Sequence, residues 1–359
     1  MRRALQARIL DWFRQRVPVD QAAEFAQHKQ IPVSKASIWY YFGGVSLFLF
    51  IIQVATGILL MMYYQPGAGT AFESVRFIVV QVKFGWLVRS IHTWSANLMI
   101  ASVVIHMFSV YFTKAFRRPR ELTWFTGIVL LGLCMGFGFS GYLLPWNTLA
   151  FFATKVGTAI VAVTPGIGRG IMETLRGGKD VGAETLTRFF GLHVAIMPAV
   201  FTAVLGVHLL LVQLQGMHEP HAWAEDPQAK KRYMPFFPNF ILRDLLLWLI
   251  VLNVLAILAV MFPWELGHKA DPSMSAPAGI KPEWYFLFMY QALKYFPGKI
   301  LGVDGDAIGV LLFGAAGLLW VLVPLWDTRL PRGAQNRVLN VLGLAFVLGA
   351  IVLTVIGLR

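Results

Sequence analysis

Residues 87–112, LVRSIHTWSANLMIASVVIHMFSVYF, form an apolar run long enough to cross a bilayer as a helix, yet His92 and His106 lie inside it. A second run, residues 186–213, LTRFFGLHVAIMPAVFTAVLGVHLLLVQ, holds His193 and His208 in the same way. An ionisable side chain is costly in hydrocarbon, so four of them mark function. The first pair is 14 residues apart and the second 15. At about 100° per residue these intervals leave offsets of only about −40° and +60°. Each pair therefore shares one helix face, with about 21 to 22 Å of rise between its members. The bland alternative is four unrelated histidines hydrogen bonding between helices; two matched pairs speak against it.

Apolar runs also fall at 38–63, 122–144, 241–262, 307–326 and 338–357, which makes seven candidate spans. The composition agrees: 57% of residues are hydrophobic and 14% charged, against roughly 25% charged in a soluble domain. The expected architecture is an all-α integral membrane protein. Segment 1–37 carries an interfacial helix, residues 38–214 form a four-helix unit, and residues 215–359 add three further spans. Spans two and four run in the same direction, so His92 faces His193 near one surface and His106 faces His208 near the other. Imidazole nitrogens are ordinary axial ligands of haem iron, and the geometry predicts two bis-histidine haem sites stacked across the membrane.

Gly43 and Gly57 in span one, and Gly127 and Gly141 in span three, are also 14 apart. Glycine lets a flat macrocycle approach the backbone, and the shared interval puts one glycine from each flanking helix beside each haem. Close helix packing is the other use of such glycines. Arg89, one turn before His92, is a natural partner for a haem propionate, or else a snorkelling arginine.

The formal charge is +13, but it is divided among short membrane-flanking loops, which argues against nucleic acid as a partner. One side carries 17 Lys and Arg, in the N-terminal segment and in the loops after spans two, four and six, against about ten on the other. The positive-inside rule then puts the N-terminus in the cytoplasm and, after seven crossings, the C-terminus outside. Leu5, Ile9, Trp12 and Phe13 recur at helical spacing, which suits a helix on the membrane surface; a frayed tail is the alternative. The basic start is separated from the first apolar run, so no signal peptide is expected. The single cysteine, Cys134, lies inside span three. It allows no internal disulfide, no CxxCH haem attachment and no iron–sulfur cluster built by this chain alone. Loop 145–184 is expected to form short surface helices, and loop 263–304 a helix over Glu283 to Tyr295. Long, partly apolar loops on one face usually build a site there.

FGWLVRSIHTWSANL, RRPRELTWFTGIVL, FSGYLLPWN, TLTRFFGLH and KPEWYF together resemble cytochrome b of the quinol:cytochrome c oxidoreductases over nearly the whole chain. The 15-residue second interval and seven spans look like the chloroplast-type form, in which the two units are separate polypeptides; here they are fused. The resemblance implies two non-covalent haem b groups on His92/His193 and His106/His208, and quinone sites on both sides. It implies an outer quinol site with Glu283, Tyr142, Tyr285 and Tyr290, where Glu283 accepts a quinol proton; a simple helix-start acid is the alternative for Glu283. A cytoplasmic site would use Arg243 and Asp244, which could equally be a plain ion pair. Gln213 and Ser109 stand where the family usually has basic residues. Tyr41 replaces the cysteine that holds an additional covalent haem in the chloroplast type, so no third haem is expected. Implied partners are a Rieske iron–sulfur protein, a membrane cytochrome c-type subunit, quinone and lipid, in a homodimeric complex of a bacterial inner membrane. The implied reaction is proton-translocating quinol oxidation with bifurcated electrons. The alternative is a di-haem membrane anchor relaying electrons between quinone and a dehydrogenase or hydrogenase.

Overall fold

The computed structural model describes residues 2–16, 28–220, 223, 228, 230–327 and 332–359. Arg329, in the basic loop after span six, lies outside the described residues, as do the side chains of Arg2, Arg3, Phe13, Lys35 and Arg332.

Helix α1 (Arg2–Arg14) exposes Leu5, Ile9 and Trp12. The four-helix unit consists of α2 (Tyr41–Met61), α4 (Gly85–Thr113), α5 (Glu121–Leu143) and the continuous helix Ala183–Gln215. That last helix divides into α8 (Ala183–Gly191), a π turn at Leu192–Ile196 and α9 (Met197–Gln215). Helix α2 packs on α4, and α5 on α9. Short helices cover one end: α3 (Ala71–Val80) before α4, and α6 (Thr148–Ala162) and α7 (Gly168–Arg176) where loop 145–184 was expected to carry them. The second unit holds α10 (Ile241–Met261), α11 (Trp284–Leu293), α12 (Gly305–Val321), α13 (Val323–Trp326) and α14 (Arg332–Leu358).

Six of these helices are long and apolar enough to cross a membrane, and they coincide with the expected spans to within a few residues. The expected span 307–326 is realised as the 17-residue α12, broken at Leu322 and continued by α13. Pro324 accounts for the break, since its ring lacks an N–H and clashes with the preceding turn. Outward faces are apolar, as at Ile51, Val54 and Ile58 of α2, which are 42–53% exposed. Such a surface is stable only against lipid. This is an integral membrane protein.

Two polar clamps hold the second unit on the first. At the His92 end, the Arg89 guanidinium donates to the carbonyls of Trp264 (2.6 Å) and Glu265 (3.3 Å), Ser90 to Ala259 (2.8 Å) and the Trp94 indole to Phe262 (2.8 Å). There too Asn147 caps α6 through Ala150 N–H and donates to Leu266 O, both at 2.8 Å. At the His106 end, Arg117 grips Asp327 at 2.5 and 3.1 Å and Asn336 at 2.9 Å. Lys114, which ends α4 in a left-handed conformation, donates to Asn340 at 2.8 Å. Burial, then the neighbouring Arg117 charge, pushes its pKa down to about 8, while Asp327 acts in the opposite direction.

Candidate haem and quinone sites

The four intramembrane histidines meet in two places. His92 and His193 have ring centroids 6.4 Å apart with planes inclined at 71°. A metal ion held between two imidazole nitrogens at about 2.0–2.1 Å each requires centroids about 6 Å apart, so the pair already has the spacing of a bis-histidine iron site. The expected glycines face these rings. A Cβ on Gly141 would lie 2.6 Å from His193 Cε1, and one on Gly57 3.4 Å from His92 Cε1. At the other level, Gly43 would approach His106 Cε1 to 3.1 Å and Gly127 His208 Cε1 to 3.3 Å. Glycine is needed here because the imidazole, and not only a macrocycle, lies flat against the neighbouring helix.

The residue before three of these glycines carries a hydroxyl, which the sequence reading missed. Thr56 lies 2.9 Å from His92 Nδ1, Thr126 2.9 Å from His208 Nδ1 and Ser140 3.1 Å from His193 Nδ1. Each hydroxyl donates its proton to a carbonyl one turn back: Thr56 to Ile52, Thr126 to Leu122 and Ser140 to Gly136. Each must therefore accept from Nδ1–H, which fixes the tautomer and leaves Nε2 with a free lone pair for a metal. The repeated Ser/Thr-Gly dipeptide was the available signal. The fourth position has Phe42 before Gly43, and His106 Nδ1 has no partner among the described residues.

The π turn settles why one interval is 14 and the other 15. A π turn inserts one residue without adding a full step of helical rotation. Here Met197 N–H bonds back five residues to Leu192 O, just before Pro198, which cannot donate. The 15 residues from His193 to His208 thereby match the 14 from Gly141 to Gly127 on the neighbouring helix. Arg89, expected near a propionate, gives two of its donors to the loop carbonyls of the clamp.

At the His193 end, Glu283, Tyr142, Tyr285 and Tyr290 line one cavity of about 420 Å³ with Phe139 and Phe286. Glu283 stands at the N-cap of α11, but its side chain makes no capping hydrogen bond. Burial raises its pKa above the ordinary carboxylate value. Burial likewise raises that of Tyr285, whose hydroxyl occupies the space a Cβ on Gly138 would take. Tyr290 donates to Ile280 O at 3.5 Å. The arrangement offers one buried base in an apolar chamber shaped for a flat ring.

At the His106 end, Asp244 packs against Gly44, whose Cβ would come within 2.5 Å of both carboxylate oxygens. Arg243 is exposed beside it. Gln213 accepts from Lys29, and Ser109 donates to His106 O at 2.7 Å.

Residues 28–216 match the family model described as Cytochrome b/b6/petB, and residues 269–359 match Cytochrome b(C-terminal)/b6/petD. The chain belongs to the cytochrome b/b6 family. It is 49% identical over 344 residues, covering 95% of this chain and 79% of the relative, to a cytochrome bc complex cytochrome b subunit of Chlorobaculum thiosulfatiphilum. It is 41% identical over 214 residues to cytochrome b6 of Synechococcus elongatus, covering 60% of this chain and 99% of that protein. Among solved structures, a hyperthermophilic respiratory Complex III aligns with a TM-score of 0.86 and 31% identity, covering 98% of this chain and 91% of that one. This cytochrome b thus carries on one chain the portions that match the two family models, and it is the cytochrome b of a bc/b6f-type quinol oxidoreductase complex. Membership implies haem b, and the free Nε2 lone pairs together with the 6.4 Å spacing fit it.

Proposed function

We propose that this chain is the di-haem subunit of a proton-translocating quinol:cytochrome c, or plastocyanin-like, oxidoreductase, with quinol oxidised at an outer site and quinone reduced at a cytoplasmic one. The observation that carries this reading is the convergence of Glu283, Tyr142, Tyr285 and Tyr290 on one apolar cavity. His92 with His193 would hold the outer haem b and His106 with His208 the cytoplasmic one; bound, they supply one-electron relay between the two levels. Oxidising a quinol to a quinone releases two electrons and two protons. Glu283 accepts a quinol O–H proton on its carboxylate and turns it out toward water. The tyrosines and Phe139 shape the chamber and exclude water, and the Tyr290 contact to Ile280 O braces the loop that carries Pro282 and Glu283.

The excess of Lys and Arg on one side supports a cytoplasmic N-terminus and an outer, periplasmic position for the cavity. A Rieske protein and a cytochrome c-type subunit accept the electrons in a dimeric complex, because this chain has no ligands for their cofactors and its relatives belong to a cytochrome bc complex and a Complex III. A di-haem anchor for a dehydrogenase or hydrogenase would leave the Glu283 cavity without a role.

The test is Glu283→Gln in the purified complex. Turnover should fall by about 10²–10⁴, the worth of general-base catalysis, with haem content unchanged. The rise of wild-type turnover with pH should track deprotonation of Glu283, above the usual carboxylate range, and should vanish in the variant. Wild-type turnover at every pH would show that another group takes the proton.

A further inference from the structure

Buried polar atoms without partners gather at one end of the molecule. Tyr41 Oη, His106 Nδ1, Arg120 Nε and Asp244 Oδ1 are buried with no hydrogen-bond partner among the described residues, and all lie at the His106 end. Such groups are expensive to keep, and a fold retains them where a ligand completes them. Tyr41 is the sharpest case: its side chain is only 9% exposed, yet its hydroxyl bonds to nothing in the chain.

The surroundings of Tyr41 describe that ligand. Its ring stacks on Phe240, centroids 4.9 Å apart and planes 13° from parallel, and Phe240 stacks in turn on Phe236 at 5.9 Å. Gly44, one turn after Tyr41, makes room for the carboxylate of Asp244, one turn after Phe240. At the far end of the stack, the Lys29 ammonium sits 5.2 Å from the Phe236 ring centroid and donates to Gln213. The result is a flat aromatic wall with a hydroxyl and a carboxylate at one end and an ammonium and a carboxamide at the other. A planar apolar ring with an oxygen at each end matches that pattern.

We propose that Tyr41 is a quinone-binding residue of the cytoplasmic site, its hydroxyl donating a hydrogen bond to one quinone carbonyl oxygen beside Asp244, while Lys29, held on Gln213, serves the opposite carbonyl. The proposal rests on the two-site reading above. Lys29 thereby restores, from the N-terminal segment, the cation that Gln213 and Ser109 do not supply.

The experiment is infrared difference spectroscopy of the purified complex with a short-chain benzoquinone carrying ¹³C at each carbonyl in turn, with an outer-site inhibitor present throughout. Tyr41→Phe keeps the stack on Phe240 and removes only the donor. One carbonyl band should move toward its free-quinone position and affinity should weaken about fivefold to tenfold, with haem content unchanged. Lys29→Met should move the other band. Bands and affinity unaltered by Tyr41→Phe but altered by Asp244→Asn would keep the site and remove Tyr41 from it. No bound quinone in the wild type would overturn both the proposal and the two-site reading.

Discussion

A methyl group added at Gly141 would be forced to 2.6 Å from His193 Cε1, closer than packed carbons tolerate, whereas at Gly57 the same methyl would rest 3.4 Å from His92. Between them fall Gly43 at 3.1 Å and Gly127 at 3.3 Å. Substitution by alanine should therefore cost haem occupancy in the order Gly141, Gly43, Gly127, Gly57. The pyridine haemochrome content of each purified variant measures it, and full occupancy in Gly141→Ala would break the argument. The hydroxyls make a second prediction. Thr56→Val keeps shape but removes the acceptor for His92 Nδ1–H, and outer-shell losses of this kind weaken metal sites by about 10–100-fold. Competition with apomyoglobin should strip the His92/His193 haem from this variant faster than from the wild type. The 14-residue glycine interval was legible because it repeats. The hydroxyl before each glycine escaped notice because Thr and Ser in membrane helices usually bond only to their own backbone, and here they serve both that carbonyl and a ring.

At the level of the helix, the π turn at Leu192–Ile196 decides whether His193 and His208 stay in register. Deleting Ala195 should convert the π turn to regular α-helix, leave a 14-residue interval and preserve both haems. Deleting Leu205, in the regular α9, should swing His208 by about 100° relative to His193 and abolish one haem. Optical spectra of the two deletions decide the matter; equal loss in both would show that the turn does not absorb the additional residue. Sequence spacing alone gave offsets that straddled one face but could not reveal why the intervals differ, since a π turn carries no strong composition signature beyond the nearby Pro198. The helices α6, α7 and α11 were foreseeable from apolar periodicity in loops too long to be structureless. The division of the expected span 307–326 at Leu322 was not, although Pro324 was in plain view.

Across the whole molecule, the two units are fixed by residues more than 200 positions apart, such as Arg117 with Asp327 and Lys114 with Asn340. No periodicity announces such pairs. Asp327 is only 3% exposed, so Asp327→Asn would leave Arg117 facing Asn336 without its counter-charge. Breaking a buried pair in this way should cost about 3 kcal/mol and speed deuterium uptake in the first turns of α14, leaving the His92 end untouched; uniform uptake would disprove the clamp. The molecule is also polar in a second sense. Near His92, Thr56 and Ser140 already aim both rings, whereas near His106 the chain leaves Tyr41, Arg120, Asp244 and an imidazole incomplete. A newly synthesised polypeptide would thus find one end ready to receive its first prosthetic group and the other still loose. Biogenesis acquires a direction: loading starts at the aimed pair, and the incomplete end, last to close, is where quality-control proteases would find an unfinished chain.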